Sequence, residues 1–207
     1  MVLRLCFSLL FLFGCTTLER NNIYDLNGNK EVSSGNFTDS RDNKTYKTVK
    51  IGSQIWMAEN LNYNVSGSKC YKNESSNCTT YGRLYDWATS KIVCPSGWHL
   101  PSDAEWTKLT DYVGGVSTAG SKLKAKSGWK SSGNGTDDYG FSALPGGNGD
   151  SDGNFYEAGY SGFWWSSGEV EYDSVSAYIW HMGDGNEYAS RFYGSKATLL
   201  SVRCVQD

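Results

Sequence analysis

Six cysteines, two histidines and a dense set of aromatic and acidic residues are where this sequence could do chemistry. Cys70, Cys78, Cys94 and Cys204 lie in the body of the chain, Cys6 and Cys15 near its start. Thiols can hold zinc, act as nucleophiles or pair with one another. Zinc is poorly served, because no two of the four body cysteines have C-x-x-C spacing and only His99 and His181 could complete a site. In an oxidising compartment four cysteines allow three disulfide connectivities. The favoured one joins Cys70 to Cys78 across a short loop and Cys94 to Cys204 across much of the chain. No serine, histidine and aspartate stand in a recognisable nucleophile context, and no carboxylate pair suits glycoside hydrolysis. No catalytic residue is assigned. Asp86 and Glu105 read as capping groups of helices.

Aromatic side chains are the stronger signal, with 8 Trp and 14 Tyr in the chain. Tyr156, Tyr160, Phe163, Trp164, Trp165, Tyr178, Trp180, Tyr188, Phe192 and Tyr193 cluster toward the C-terminus. Exposed rings of this kind stack on sugars or anchor protein partners, whereas buried ones only fill a core. Trp164, Trp165, Tyr178, Trp180, Tyr188 and Tyr193 are the candidate ligand-binding set. On a strand, Trp164 and Trp165 point to opposite faces, and Tyr178 and Trp180 share the face that Ile179 does not use. Solvent exposure of these rings therefore decides whether the binding reading stands. Acidic loop residues (Asp137, Asp138, Asp150, Asp152, Asp184, Glu187) offer oxygen ligands for calcium, although Asp is also an ordinary turn residue and no ligand set can be assigned. No other cofactor is implied.

These groups have to be carried by something, and the N-terminus says where. One positive charge at Arg4 precedes an apolar run over residues 5–13. That run is too short for a membrane span of about 20 residues, and it fits a secretory h-region of about 7–15. It ends at Leu12-Phe13-Gly14-Cys15, which looks like a bacterial lipobox, so residues 1–14 are expected to be a signal peptide and Cys15 a lipidated N-terminus. Thr16 in place of Asp points to the outer membrane. Residues 15–43 are polar and read as a flexible tether. A folded domain is expected over 44–207.

Within it, residues 45–51 alternate, Gly52-Ser53 turns, and 54–57 continue as a β-hairpin. Leu84, Trp87, Ala88 and Ile92 have helical spacing over 81–93. Ser102 and Glu105 form a capping box ahead of a helix that runs to Gly114-Gly115. Residues 122–129 read as a further short element. A Gly-rich loop region fills 131–162, followed by strands at 163–166, 175–182, 187–193 and 199–205. This is α+β: two helices, antiparallel β-hairpins in one sheet system, and long loops. The net charge of −3 and scattered basic residues argue against a nucleic-acid partner.

Four segments carry a resemblance. They are residues 49–61 (VKIGSQIWMAENL), 81–87 (YGRLYDW), 94–106 (CPSGWHLPSDAEW) and 201–205 (SVRCV). Together, in this order, they resemble the Fibrobacter succinogenes major paralogous domain, a family of exported and often lipid-anchored bacterial proteins. The third segment is also similar to the helix start of formylglycine-generating enzymes, which implies a C-type-lectin-like fold. In that fold a Cys after the first helix bonds to one in the final strand, the places held here by Cys94 and Cys204. His99 would then sit at a structural corner. The functional residues of those relatives do not carry over. The enzymes hold copper with two C-terminal cysteines, and here only Cys204 is in place. The Glu-Pro-Asn, Gln-Pro-Asp and Trp-Asn-Asp calcium motifs of sugar-binding lectins are missing. The resulting expectation is a lipid-anchored cell-envelope protein whose non-catalytic domain binds a polysaccharide or a surface protein. Its alternatives are a formylglycine-generating-type enzyme or a purely structural lipoprotein.

Overall fold

The first strand of the computed structural model, which describes residues 33–207, is β1 (Ser34–Thr38). It lies antiparallel to β2 (Thr45–Ile51), which turns at Gly52-Ser53 into β3 (Gln54–Met57). Gly52 adopts φ +62°, a conformation that costs a glycine little. The hairpin follows the expected alternation. The domain, however, starts about ten residues before the Lys44 boundary. Phe37 packs on Trp98 with ring centroids 5.1 Å apart, and Asp39 is buried and paired with Arg41. A sheet-edge strand with one wet face needs only one such anchor, so its polar composition reads as a tether. The signal peptide, most of the tether and Cys15 lie outside the described residues.

Helices number four among the described residues. A 3-10 turn (Tyr71–Asn73) leads into α1 (Ser75–Tyr81). β4 (Leu84–Tyr85) separates α1 from α2 (Trp87–Val93). The single helix expected over 81–93 is therefore broken. Gly82 adopts φ +76°, and a Cβ there would meet Asn60 at 2.8 Å. Asp86 accepts the Thr89 N–H and starts α2 afresh. The apolar spacing misled, since Leu84 is a buried strand residue and Ile92 is 82% exposed. After β5 (Trp98–His99), α3 (Asp103–Tyr112) begins with the expected Ser102–Glu105 capping box. α4 (Val116–Leu123) begins six residues ahead of the stretch expected to hold a further element and overlaps it only at Lys122 and Leu123.

Beyond a small pair, β6 (Asn148–Gly149) with β7 (Phe155–Tyr156), come the long strands β8 (Ser161–Val170), β9 (Asp173–Gly183) and β10 (Ser190–Ser195). The expected last strand is split into β11 (Leu200–Ser201) and β12 (Val205–Gln206), which serve different sheets. There are thus two five-stranded sheets, ordered β1-β2-β3-β12-β5 and β10-β9-β8-β11-β4, where one sheet system was expected. The β8–β11 contact is parallel and the other pairings of these sheets are antiparallel.

Around the Trp164–Trp180 and Trp165–Ile179 pairs the second sheet is covered on both faces. Trp164 and its cross-strand partner Trp180 enter one core with Trp56, Trp106 and Phe141. Trp165 and its partner Ile179 enter another with Tyr85, Trp87 and Leu200. Cys94–Cys204 and Cys70–Cys78 are both formed, the connectivity favoured from the sequence. The described residues belong to one compact unit. Both disulfides and all the apolar clusters lie within it, so residues 33–207 hold what a domain needs to fold alone.

Candidate functional site

Three of the six candidate rings are structural. Trp164 and Trp165 are 0% exposed and Trp180 is 2% exposed. Each indole N–H is bound internally: Trp164 to Asn60 Oδ1 at 2.9 Å, Trp165 to the Tyr85 carbonyl at 2.8 Å, and Trp180 to Asp103 Oδ1 at 2.9 Å. The alternation argument gave each strand a solvent face, but Trp164 and Trp180 on one face and Trp165 on the other all enter cores. Every one of the eight tryptophans is buried. Tyr178 is half-buried, whereas Tyr188 and Tyr193 are exposed.

The exposed aromatic surface is built of tyrosines. Tyr193 stands opposite Tyr178 in the β9–β10 register, and Arg191 stands opposite Trp180, so all four side chains share one face. Tyr172, in the turn between β8 and β9, packs edge-on against Tyr193 with centroids 6.4 Å apart. The Arg191 guanidinium lies 4.7 Å from the Tyr178 ring centroid and is paired with Asp103 at the start of α3. The hydrogen bond to Asp103 and its charge hold Arg191 above its ordinary pKa. Tyr172 is 78% exposed and Tyr193 56%. The result is a three-tyrosine platform with a fixed cation and carboxylate at its rim. Neither Tyr172 nor Arg191 stood out in the sequence. Tyr172 sits between Glu171 and Asp173, in a stretch to which the sequence pattern assigns no strand.

Other candidates are dispersed. Tyr188 belongs to the connection between β9 and β10, which Lys124 pins by donating to the Gly183 and Asn186 carbonyls, both at 2.9 Å. Burial lowers the Lys124 pKa, while Asp184 and Glu187 oppose that shift. Those two acids therefore already have an internal cation nearby. Asp150 Oδ1 accepts from the Asp152 and Asn154 backbone, and Oδ2 from Asn154 and Tyr156, so it organises its own loop. Asp137 binds the Ser142 N–H and hydroxyl. Among the described residues, no three His, Cys, Asp or Glu side chains converge as metal ligands.

The two histidines have different surroundings. His99 is held at Nδ1 by Asp207 (2.6 Å) and at Nε2 by Glu105 (2.8 Å). Burial works against the charged ring, but the two carboxylates outweigh it and raise the His99 pKa. It is a clamp between the C-terminus and α3. His181 lies between Phe163 (4.7 Å) and Phe192 (5.6 Å) on the other face of the sheet. Burial first, and then the Lys124 charge, lower its pKa. A polar groove of about 280 Å³ runs beside β2, lined by Lys47, Glu59, Asn60, Thr79 and Ser142. It lacks an exposed ring.

Three of the four sequence segments that carry the family resemblance meet at one point away from the platform, and the segment 94–106 supplies Asp103 to the platform's rim. Asn60 Nδ2 donates to the Tyr81 carbonyl and Ser201 Oγ. Its Oδ1 accepts from Trp164 and from Arg203 Nε (3.2 Å) and Nη2 (2.9 Å). Arg203 is completely buried, lies 4.3 Å from the Phe141 ring centroid, and donates to the Phe141 and Ser142 carbonyls. Burial pulls its pKa down to about 9.

The class is thereby defined: a disulfide-braced α+β domain whose motif segments help build the interior and whose tyrosine-bearing sheet face looks outward. The signature of the Fibrobacter succinogenes major domain matches residues 49–206, and the chain belongs to that family. No curated protein and no solved structure matches it.

Proposed function

We propose that this chain is an exported, lipid-anchored envelope protein whose non-catalytic, C-type-lectin-like domain binds polysaccharide. The observation that carries the reading is the exposed Tyr172–Tyr178–Tyr193 face beside the Arg191–Asp103 pair. Flat rings give a sugar ring a stacking surface, and the rim charges give its hydroxyls fixed partners. Two disulfides favour an oxidising compartment, in keeping with export and a lipid on Cys15. The Cys94–Cys204 bond, from the end of α2 to the start of the last strand, supports the lectin-like arrangement. All four cysteines of the described residues are oxidised, which leaves no thiol pair for chemistry of the formylglycine-generating type.

The test is retention of residues 33–207 on insoluble polysaccharides, cellulose included, with and without calcium. Each ring should contribute about 0.5–1.5 kcal/mol, so Tyr172→Ala with Tyr193→Ala should weaken binding ~5- to 100-fold. Retention should survive chelator, since among the described residues no three His, Cys, Asp or Glu side chains converge as metal ligands. Retention unchanged by the double substitution sinks the platform. Absence of retention on every glycan transfers the face to a protein partner or a structural role. For the anchor, fatty-acid labelling of the full chain should be lost in Cys15→Ala.

A further inference from the structure

Strand β10 ends its sheet, and its outer edge has no strand beside it among the described residues. Its six residues, Ser190–Ser195, pair with β9 in one unbroken register. Natural edge strands are guarded by lysine, proline, bulges, shortness or a covering element. β10 has no lysine, proline or bulge, and Arg191, its one charge, is already neutralised by Asp103. Phe192, 53% exposed, and Tyr193 project from opposite faces.

We propose that β10 pairs antiparallel with β10 of a second copy, joining two sheets across a two-fold axis through Phe192. The strand is self-complementary in this register. Phe192 meets Phe192 of the second copy, and Ser190 meets Gly194 on the same face. On the opposite face Arg191 meets Tyr193, twice. Directly opposed side chains in an antiparallel pair lie about 4.5–5.5 Å apart at Cβ, which suits aromatic–aromatic and cation–π contacts. A foreign strand would need its own match at these positions, whereas a second copy supplies one by symmetry. The pairing sets the two Tyr172–Tyr178–Tyr193 platforms on one continuous face. That consequence rests on the polysaccharide reading, and two linked sites would then bind one chain with avidity. The pairing itself does not depend on it.

Sedimentation velocity of residues 33–207 without glycan, from about 1 µM to 1 mM, tests the pairing. Two strands alone make a small interface, so a concentration-dependent monomer–dimer equilibrium is expected. Phe192→Lys and Phe192→Asp each place like charges across the axis and should weaken the dimer at least about tenfold, with circular dichroism and melting unchanged. An equimolar mixture of the two variants should pair again. A wild-type domain that stays monomeric, a variant that dimerises like wild type, or a mixture that fails to pair would each overturn the proposal. A dimer with no glycan affinity would leave it standing and remove the platform reading instead.

Discussion

Asn60 shows how much of this interior hangs on one side chain. Its Oδ1 serves three donor atoms, on Trp164 and Arg203, all inside the protein. Among the described residues Arg203 has no carboxylate in contact; its partners there are the Asn60 amide and two backbone carbonyls. Removing a partner from a buried charge costs about 3–5 kcal/mol, so Asn60→Ala should lower the unfolding free energy by about that amount, read as a fall in the urea midpoint. A change below about 1 kcal/mol would mean that the network is not holding the guanidinium. His99 gives a pH signature at the same scale. Its folded pKa is raised, so the stability from its clamp is complete below the ordinary value of 6.5 and fades as pH climbs through the raised value. Glu105 has the opposite sign. Held below its ordinary 4.5, it contributes above that pH and loses its contribution as acid protonates it. His99→Ala should therefore flatten the stability curve on the alkaline side of 6.5, measured by urea melts across that range.

At the scale of elements, α4 is set against the segment that enters β10. Gly120 has no room for a side chain: a Cβ would stand 2.2 Å from the Tyr188 carbonyl oxygen and 2.7 Å from that of Glu187. Both neighbours are backbone, and they are tied down where Ser121 N–H binds the Glu187 carbonyl. Gly120→Ala gains helix propensity of about 1 kcal/mol. The clash should exceed that gain, because forced overpacking costs about 1–3 kcal/mol and backbone cannot rotate away. The substituted domain should melt lower, and amide exchange should quicken over residues 186–190. The platform depends on this packing only indirectly. Its rings ride on β9 and β10, whose register is fixed by Trp180 and Ile179 gripping separate cores.

For the whole molecule, the two disulfides do different work. Cys94–Cys204 spans 110 residues and ties the end of α2 to the last strand, whereas Cys70–Cys78 spans 8. In the chain-entropy model, closing the long loop is worth about 4–5 kcal/mol and the short one about 2–3. Cys94→Ala with Cys204→Ala should lower the melting temperature more than Cys70→Ala with Cys78→Ala, as calorimetry would show. The reverse order would place native strain or residual unfolded structure above loop entropy. Residues 49–61, 81–87 and 201–205 meet in the interior around Asn60 and Arg203, whereas residues 172–193, within the same family match, carry the displayed face with Asp103 at its rim.

The sequence by itself determined the local features: the Gly52-Ser53 hairpin, the Ser102–Glu105 helix start, both disulfides and the family. Each depends on residues close in the chain or on chemistry with few alternatives. Only the tertiary structure decided which rings meet water. A period of two tells which side chains share a face, but not whether a second layer covers that face. With cores on both sides of β8–β9, Trp164, Trp165 and Trp180 became girders. Tyr172, in a stretch to which the sequence pattern assigns no strand, became the most exposed ring of the platform. The same limit hid β1, because a strand that owes its place to a neighbouring edge and one Phe37–Trp98 contact leaves almost no pattern of its own. Burial is a property of the assembled layers, and no window of sequence contains it.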